Sequence, residues 1–237
     1  MRWDDQKRAL VSRLLQYSLI HEVLGIPYDD IVIRRTAYGK PYLDPRQSDS
    51  RFPHFNFNVS HDGDFVVIVS DPICPIGVDI VSCAPHEHPI TKFLRNFIPY
   101  MQGFEWEVIL QSPSDDERLR NFYRYWCVKE ALVKAMGSGL ALGSLNVGIH
   151  HSNWADLRVE VDDVPLSCWQ FWQSELPKNH WVAIARGPPT FYVDGADYQN
   201  CRFRSNSRFI ERAVEQLIPI SHSFSLSNAR SLIVDEG

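Results

Sequence analysis

The sequence predicts an α+β fold of two pseudo-symmetric halves packed side by side. Three observations predict it. First, the chain opens on a helical pattern and passes into short strand-like runs, and a second helical stretch near its middle is again followed by such runs. Second, a turn leads into a continuous apolar run in both parts. Asp64 precedes Phe65-Val66-Val67-Ile68-Val69, and Asn179-His180 precedes Trp181-Val182-Ala183-Ile184-Ala185. Third, 237 residues, 44% hydrophobic and 22% charged, suffice for one large domain or two small ones with real cores. The predicted division is 1–82 for the N-terminal half, 83–187 for the C-terminal half and 188–237 for a tail, set off by Gly187-Pro188-Pro189.

Asp4–Leu24 reads as a helix, capped by Asp4 or Asp5 and ended by Gly25 and Pro27. Leu10, Leu14 and Tyr17 form its expected apolar stripe, joined by Val11 and Leu15. Ile31–Thr36 is β-branched and alternating, hence a strand, with Arg34 and Arg35 on opposite faces. Gly39-Lys40-Pro41 turns the chain into Tyr42-Leu43, and Asp44–Pro53 reads as a loop. Phe55–Ser60 alternates, with Phe55, Phe57 and Val59 on one side and Asn56, Asn58 and Ser60 on the other. After a turn at residues 61–64, Phe65–Val69 reads as a strand buried on both faces. Ile76–Ile80 is another, and it carries one acid, Asp79. An ionised Asp there is costly unless partnered. It either accepts backbone amides at the strand end or binds a metal with an acid from elsewhere, and the strand alone does not separate the two.

His86-Glu87-His88 sits at i,i+2 among prolines, so it is no HExxH helix, and both it and His150-His151 read as solvated loop segments. Ile90–Leu110 holds one or two helices, and after a polar break at 112–117 Ser114 can cap the next. That next helix is central. Over Phe122–Gly139 apolar residues recur at helical spacing, and Gly137 and Gly139 stop it. Trp126, Glu130 and Lys134, four apart, share a face, with Lys129 one position round. A carboxylate flanked by two lysines offers an anion-binding edge with a metal-capable oxygen. The same Glu130–Lys134 spacing is also that of an ordinary surface pair contributing about 0.2–0.5 kcal/mol, the commoner case for these residues taken alone. Strands follow at Asn146–Ile149, Leu157–Val161, Cys168–Trp172 and Trp181–Arg186. In the tail, Phe209, Ala213, Val214 and Leu217 predict an amphipathic helix over Arg208–Leu217, and the Ser- and Asn-rich remainder is expected to be mobile.

A net charge of −5 and no run of basic residues argue against a nucleic-acid partner. Five scattered cysteines without a CxxC argue against a zinc ribbon or redox pair and for a reducing, cytoplasmic setting. No apolar run reaches membrane-span length, and the N-terminus lacks the apolar core of a secretory signal. Neither GxxxxGK[ST] nor GxGxxG occurs, so kinase-like and dinucleotide-binding readings have no support.

Four separated motifs remain: RTAYGKPYL (35–43), FNVSHDGDFVVIV (57–69), IGVDI (76–80) and WCVKEALVKAMGSGL (126–140), with 51 residues from Asp79 to Glu130. Together they resemble the 4′-phosphopantetheinyl transferases of the longer, two-half type, and within them the animal-like group linked to aminoadipate-semialdehyde dehydrogenase. The resemblance runs from about Asp4 to Arg186. It implies transfer of phosphopantetheine from coenzyme A to a serine of an apo acyl or peptidyl carrier protein. By it, Asp79 and Glu130 are the ligands of a Mg²⁺ ion. Lys134 holds a phosphate, and Glu130 and Lys134 are the catalytic residues, with the base being Glu130, Lys134 or a metal-bound water. Arg35, Thr36, Ala37, Tyr38, Gly39 and Lys40 grip coenzyme A, with Lys40 on a phosphate. Asn58, Val59, Ser60 and His61 meet it across the cleft, with His61 on the 3′-phosphate.

Two departures from the family pattern stand out. Bacterial members carry a second acid two residues after the first, where this chain has Val81, so water or a residue near Asp62 is expected to complete the metal shell. The family also has about fifty further residues before this chain's start, as the resemblance implies, including a strand of the first half. The first half is therefore expected to lack its N-terminal strand and to show a sheet edge. The alternative reading is a shortened, non-catalytic form that binds carrier proteins or coenzyme A without turnover. A nucleotide pyrophosphatase using the same acids is a third. The fused halves imply a monomer.

Overall fold

The computed structural model describes residues 3–49, 51–84, 89–137, 145–189, 208–213 and 230–235. The chain begins with α1 (Trp3–Leu24), a short 3-10 turn (Tyr28–Asp30) and the hairpin β1 (Ile33–Arg35) and β2 (Pro41–Leu43). A second hairpin pairs β3 (Asn56–Asp62) with β4 (Phe65–Asp71), and β5 (Ile76–Ser82) follows. Three helices come next: α2 (Ile90–Arg95), α3 (Gly103–Gln111) and α4 (Asp115–Met136). Then come β6 (Val147–Ser152), β7 (Ala155–Val161), β8 (Val164–Pro165), β9 (Gln170–Leu176) and β10 (His180–Arg186). The mixed α+β class is as predicted, with two 22-residue helices each lying on strands, α1 on β3–β4 and α4 on β5–β10.

α1 turns inward only one side of the predicted stripe, Val11, Leu15 and Tyr17. Leu10 is 61% and Leu14 38% exposed, while Val11, Leu15, Leu19 and Ile20 are buried against Phe57, Val66 and Ile68. The helix is apolar on more than one side, so the sheet chooses the face. Ser12 and Gln16 are buried with it.

The other residues of β4 (Phe65, Val67, Val69) meet Ile76, Val78 and Ile80 of β5 and Val182 and Ile184 of β10 in an inner core. Coverage of both faces explains the unbroken apolar runs. The largest core lies under α4, where Phe122, Val128, Ala131 and Leu132 pack on Val81, Ala183 and Ala185. β10 pairs antiparallel with both β5 and β9, so β5 belongs by its backbone ladder to the sheet of the later strands.

β3 and β5 lie side by side and parallel, joined by side chains. Asn56 Oδ1 accepts from Ile76 N at 3.1 Å, Asn58 Oδ1 from Val78 N at 2.9 Å and Asp62 Oδ2 from Ser82 N at 2.7 Å. The partners are 20 residues apart each time. The polar face of β3 is thus a buried seam between the two sheets, which satisfies strand-edge amides that would otherwise be orphaned.

α4 begins seven residues before the predicted Phe122, with Ser114 Oγ accepting from Glu117 N. It ends at Gly137, whose φ of +64° is the left-handed cap a glycine supplies. Gly139 lies outside the described residues, as does His86-Glu87-His88.

Of the predicted tail helix, Val214 and Leu217 lie outside the described residues, and the described part is not helical. Arg208–Ala213 is a strand, β11, paired antiparallel with β12 (Arg230–Asp235), and β12 runs close to β4. A six-residue segment of mixed pattern takes its state from a pairing partner, and that partner lies outside any local window.

Candidate functional site

The central feature is the close seating of α4 on β5. A Cβ at Gly77 would stand 2.2 Å from the Ala131 carbonyl oxygen and 2.3 Å from Ala135 N. Only glycine admits the helix this near. That approach brings Glu130 and Lys134 of α4 to Asp79, two residues along β5.

Lys134 Nζ lies 2.5 Å from Asp79 Oδ1 and donates to Ser60 Oγ at 2.8 Å, and Ser60 Oγ donates to Asp79 Oδ1 at 2.9 Å. Asp79 is buried, and burial holds its carboxyl above the ordinary range against the opposing pull of Lys134 and Ser60. Half-buried Glu130 is also held high, first by burial and then by the negative charge of Asp79. A carboxylate whose proton affinity is raised by a neighbouring acid marks a place where a cation is stabilising. Both offer hard carboxylate oxygen, the donor type suited to Mg²⁺. No group of three or more His, Cys, Asp or Glu side chains gathers among the described residues. A Mg²⁺ ion held here would complete its shell with water and substrate oxygens, as that ion commonly does. Asp62 turns to the seam, accepting from Gly63 N and Ser82 N.

Beside this cluster lies a cavity of about 780 Å³ walled by both halves. From the β1–β2 tip it takes Arg35, Tyr38, Gly39 and Lys40; from β3, Asn58, Val59, Ser60 and His61; from α4, Val133, Lys134 and Gly137. Thr36 and Ala37 do not line it. Thr36 instead shapes the tip, with Gly39 N donating to its carbonyl at 2.9 Å and Lys40 N to its hydroxyl at 3.1 Å. Lys40 Nζ donates to the Lys134 carbonyl oxygen at 2.8 Å, so one half caps the last turn of the other half's helix. Burial lowers the Lys40 ammonium below its usual value. Lys134 and Ser60 form the wall, and Asp79 sits directly behind them.

The cavity also takes Ala9, Ser12, Arg13 and Gln16 from α1, which the sequence reading missed. The available signal was Ser12 and Gln16, polar residues four apart between the apolar positions of the same helix. The lining includes Arg13, Arg35, Lys40, Lys134 and His61 and no carboxylate. In a chain of net charge −5, this is a local cationic basin suited to a polyanion.

Lys129 does not share it. It is fully buried and donates to Glu105 Oε2 at 2.6 Å, the Val147 carbonyl at 2.6 Å and the Tyr100 carbonyl at 2.9 Å. One position round the helix turns it away from Glu130 into the core, so the two lysines do not flank one carboxylate. Glu105 is completed by Gln102 N and Ile149 N. Lys129→Met would leave that carboxylate buried without its counter-ion, and urea denaturation should show a loss of about 3–5 kcal/mol. A loss under about 1 kcal/mol would mean that Glu105 finds another partner.

Trp126 packs against Phe97 at 5.1 Å and Tyr100 at 5.7 Å, outside the cavity. His150 and His151 are not a solvated loop: they lie on β6, His150 stacked on Phe104 and His151 stacked on Trp154 and bonded to Tyr125 Oη at 2.8 Å. Cys74, Cys83, Cys127 and Cys168 are buried, and no disulfide forms among the described residues. No helix among the described residues is long and apolar enough to cross a membrane.

Two family models match the first 185 residues between them: "4′-phosphopantetheinyl transferase, N-terminal" over residues 1–73 and "4′-phosphopantetheinyl transferase superfamily" over residues 75–185. The L-aminoadipate-semialdehyde dehydrogenase-phosphopantetheinyl transferase of Rattus norvegicus is 31% identical over 97% of this chain and 72% of that protein. Its counterpart in Homo sapiens is 33% identical over 88% of this chain and 69% of that protein. The 4′-phosphopantetheinyl transferase psf-1 of Bacillus pumilus is 28% identical over 68% and 64%.

Proposed function

Because the chain belongs to the 4′-phosphopantetheinyl transferase superfamily and is an enzyme of that class, we propose that it moves phosphopantetheine from coenzyme A to a serine hydroxyl of an apo carrier protein, with Mg²⁺ as cofactor. One observation carries the reading beyond the family: a cationic cavity free of carboxylates abuts an acid pair, Asp79 buried and Glu130 half-buried. Coenzyme A brings a pyrophosphate and a 3′-phosphate, and the cavity volume falls within the range of about 300–1,000 Å³ typical of small-ligand sites.

The roles follow from placement. Arg35, Lys40 and His61, with Arg13 added by α1, hold the phosphates of the nucleotide. Lys134 meets the pyrophosphate as a point charge. Asp79 and Glu130 hold the divalent ion, which when bound neutralises charge on the pyrophosphate. The serine oxygen forms a bond to the phosphorus on the pantetheine side. The bond from that phosphorus to the adenosine phosphate breaks, and adenosine 3′,5′-bisphosphate leaves. The hydroxyl proton goes to a base at the acid cluster. The candidates for that base are Glu130, Lys134 and a metal-bound water.

Intact-mass measurement of an apo acyl carrier protein incubated with the chain, coenzyme A and Mg²⁺ tests this. The expected result is a gain of one phosphopantetheine, lost on adding chelator. No gain from folded protein that still binds coenzyme A would favour the non-catalytic binding form. Cleavage of coenzyme A without any acceptor would favour a pyrophosphatase.

A further inference from the structure

We propose that the tail hairpin β11–β12 is an edge cap: it covers the outer edge of β4 and keeps two copies of the chain from pairing through Phe65–Val69. This role stands apart from the transferase reading, which leaves the tail without one.

β4 is buried along its whole length, from Phe65 to Asp71. Three of its four sides have named neighbours. β3 takes one edge by its backbone ladder. On one face Val66 and Ile68 pack with Val11, Leu15, Leu19 and Ile20 of α1. On the other, Phe65, Val67 and Val69 pack with Ile76, Val78 and Ile80 of β5 and with Val182 and Ile184 of β10. The outer edge is what remains, and β12 runs beside β4 with Cα atoms within 8 Å. β12 therefore lies along that edge. Its antiparallel partner β11 stands farther from β4, on the far side of β12.

Uncovered, this edge would be a hazard. Every second residue of an edge strand points its N–H and C=O outward, ready to pair with another chain. Phe65-Val66-Val67-Ile68-Val69 has no charge and no proline and is strongly β-forming, the composition of segments that stack into cross-β aggregates. The two tail strands are ordered as a protective cap requires. β12, next to β4, has the apolar centre Leu232-Ile233-Val234 of an inner strand. β11, the new outermost strand, carries Arg208, Glu211 and Arg212, and charges on an edge oppose further pairing. An uncharged edge is thus exchanged for a charged one. The partner that β4 fits is a β-strand, held by this chain itself and taken from a second copy when the hairpin is displaced.

The test uses the full chain and two variants of β12, Ile233→Pro and Ile233→Thr. Two quantities are read: amide-resolved hydrogen exchange over Phe65–Asp71 and α4, and molar mass by light scattering over a range of concentrations. In the wild-type chain every β4 amide should exchange slowly, those facing away from β3 included, and the mass should be that of one chain. Proline removes a backbone donor and cannot continue an inner strand. Ile233→Pro should speed exchange of the outward β4 amides about tenfold with α4 unchanged, and should form dimers and larger species as concentration rises. Ile233→Thr keeps the backbone N–H and a β-branched side chain and should behave as wild type. Fast exchange of the outward β4 amides in the wild-type chain would mean an open edge and overturn the proposal. So would an Ile233→Pro chain whose β4 exchange does not change, or one that opens β4 and stays monomeric. A wild-type dimer with protected β4 would seat the hairpin on a second copy and overturn the arrangement within one chain. If Ile233→Pro also exposes α4, the chain has unfolded as a whole, and the wild-type exchange pattern decides alone. Neither quantity involves coenzyme A or a carrier, so failure of the transferase reading would leave this test untouched.

Discussion

Replacing Glu130 by Gln is expected to lower holo-carrier formation by about 10²–10³-fold, the usual effect of deleting one preorganised charge contact at a reacting centre. Gln keeps the shape and the place on α4, so helix packing and far-ultraviolet circular dichroism should not change. What is lost is the negative charge that, with Asp79, makes the site hospitable to a divalent cation, and with it a candidate base. The loss should therefore appear in two independent readings: the rate of mass gain on the carrier protein and the affinity for Mn²⁺. Asp79→Asn should reproduce the Mn²⁺ effect. A Glu130→Gln enzyme working within threefold of wild type would remove both the metal assignment and Glu130 as a candidate base, leaving Asp79 as a structural acceptor in the β3–β5 seam.

The second large effect has opposite signs in two measurements. Lys134→Met should slow transfer by about a hundredfold, because the cation facing the pyrophosphate is gone. Mn²⁺ binding to the same variant without coenzyme A should become tighter, by about tenfold. The reason is the ion pair at 2.5 Å between Lys134 Nζ and Asp79 Oδ1. That ammonium stands between the cavity and the carboxylate and neutralises the charge a divalent ion needs. The full Coulomb term at this separation would be several kcal/mol. Because the lysine side chain is 29% exposed, solvent screening cuts it, and a tenfold change is the reasonable size. Unchanged or weaker Mn²⁺ binding in Lys134→Met would show that lysine and metal do not compete for Asp79. Together the two variants separate a residue that holds metal from one that yields its place to it.

The pair Glu105–Lys129 teaches the opposite lesson about the same helix. Lys129 and Glu130 are adjacent in sequence, yet one closes a dry, fully bonded ion pair in the core and the other faces the site. Sequence spacing put both near the chemistry. Only the rotation of α4 on β5 separated them.

Local pattern was enough for the helix bounds of α1, the Ser114 cap, the Gly137 stop and the strands around Asp79, because these depend on neighbours within a turn or two. The family was legible as well, since its motifs are short, contiguous and chemically demanding. Three further features were out of reach for one physical reason: each is decided by residues far apart in the chain. The inward face of α1 follows from the sheet it meets, so Leu10 and Leu14 are outside and Ser12, Arg13 and Gln16 reach the cavity. The strand at Arg208–Ala213 follows from its partner at Arg230–Asp235. The meaning of the polar residues on β3 follows from the β5 edge, where amides need acceptors and where Ser60, alone in its series, turns to Asp79. The sequence by itself determined which chemistry the chain carries. The tertiary structure decided which side chains meet, because a hydrogen bond or ion pair is set by distance in space, and distance along the chain fixes that only within a single element.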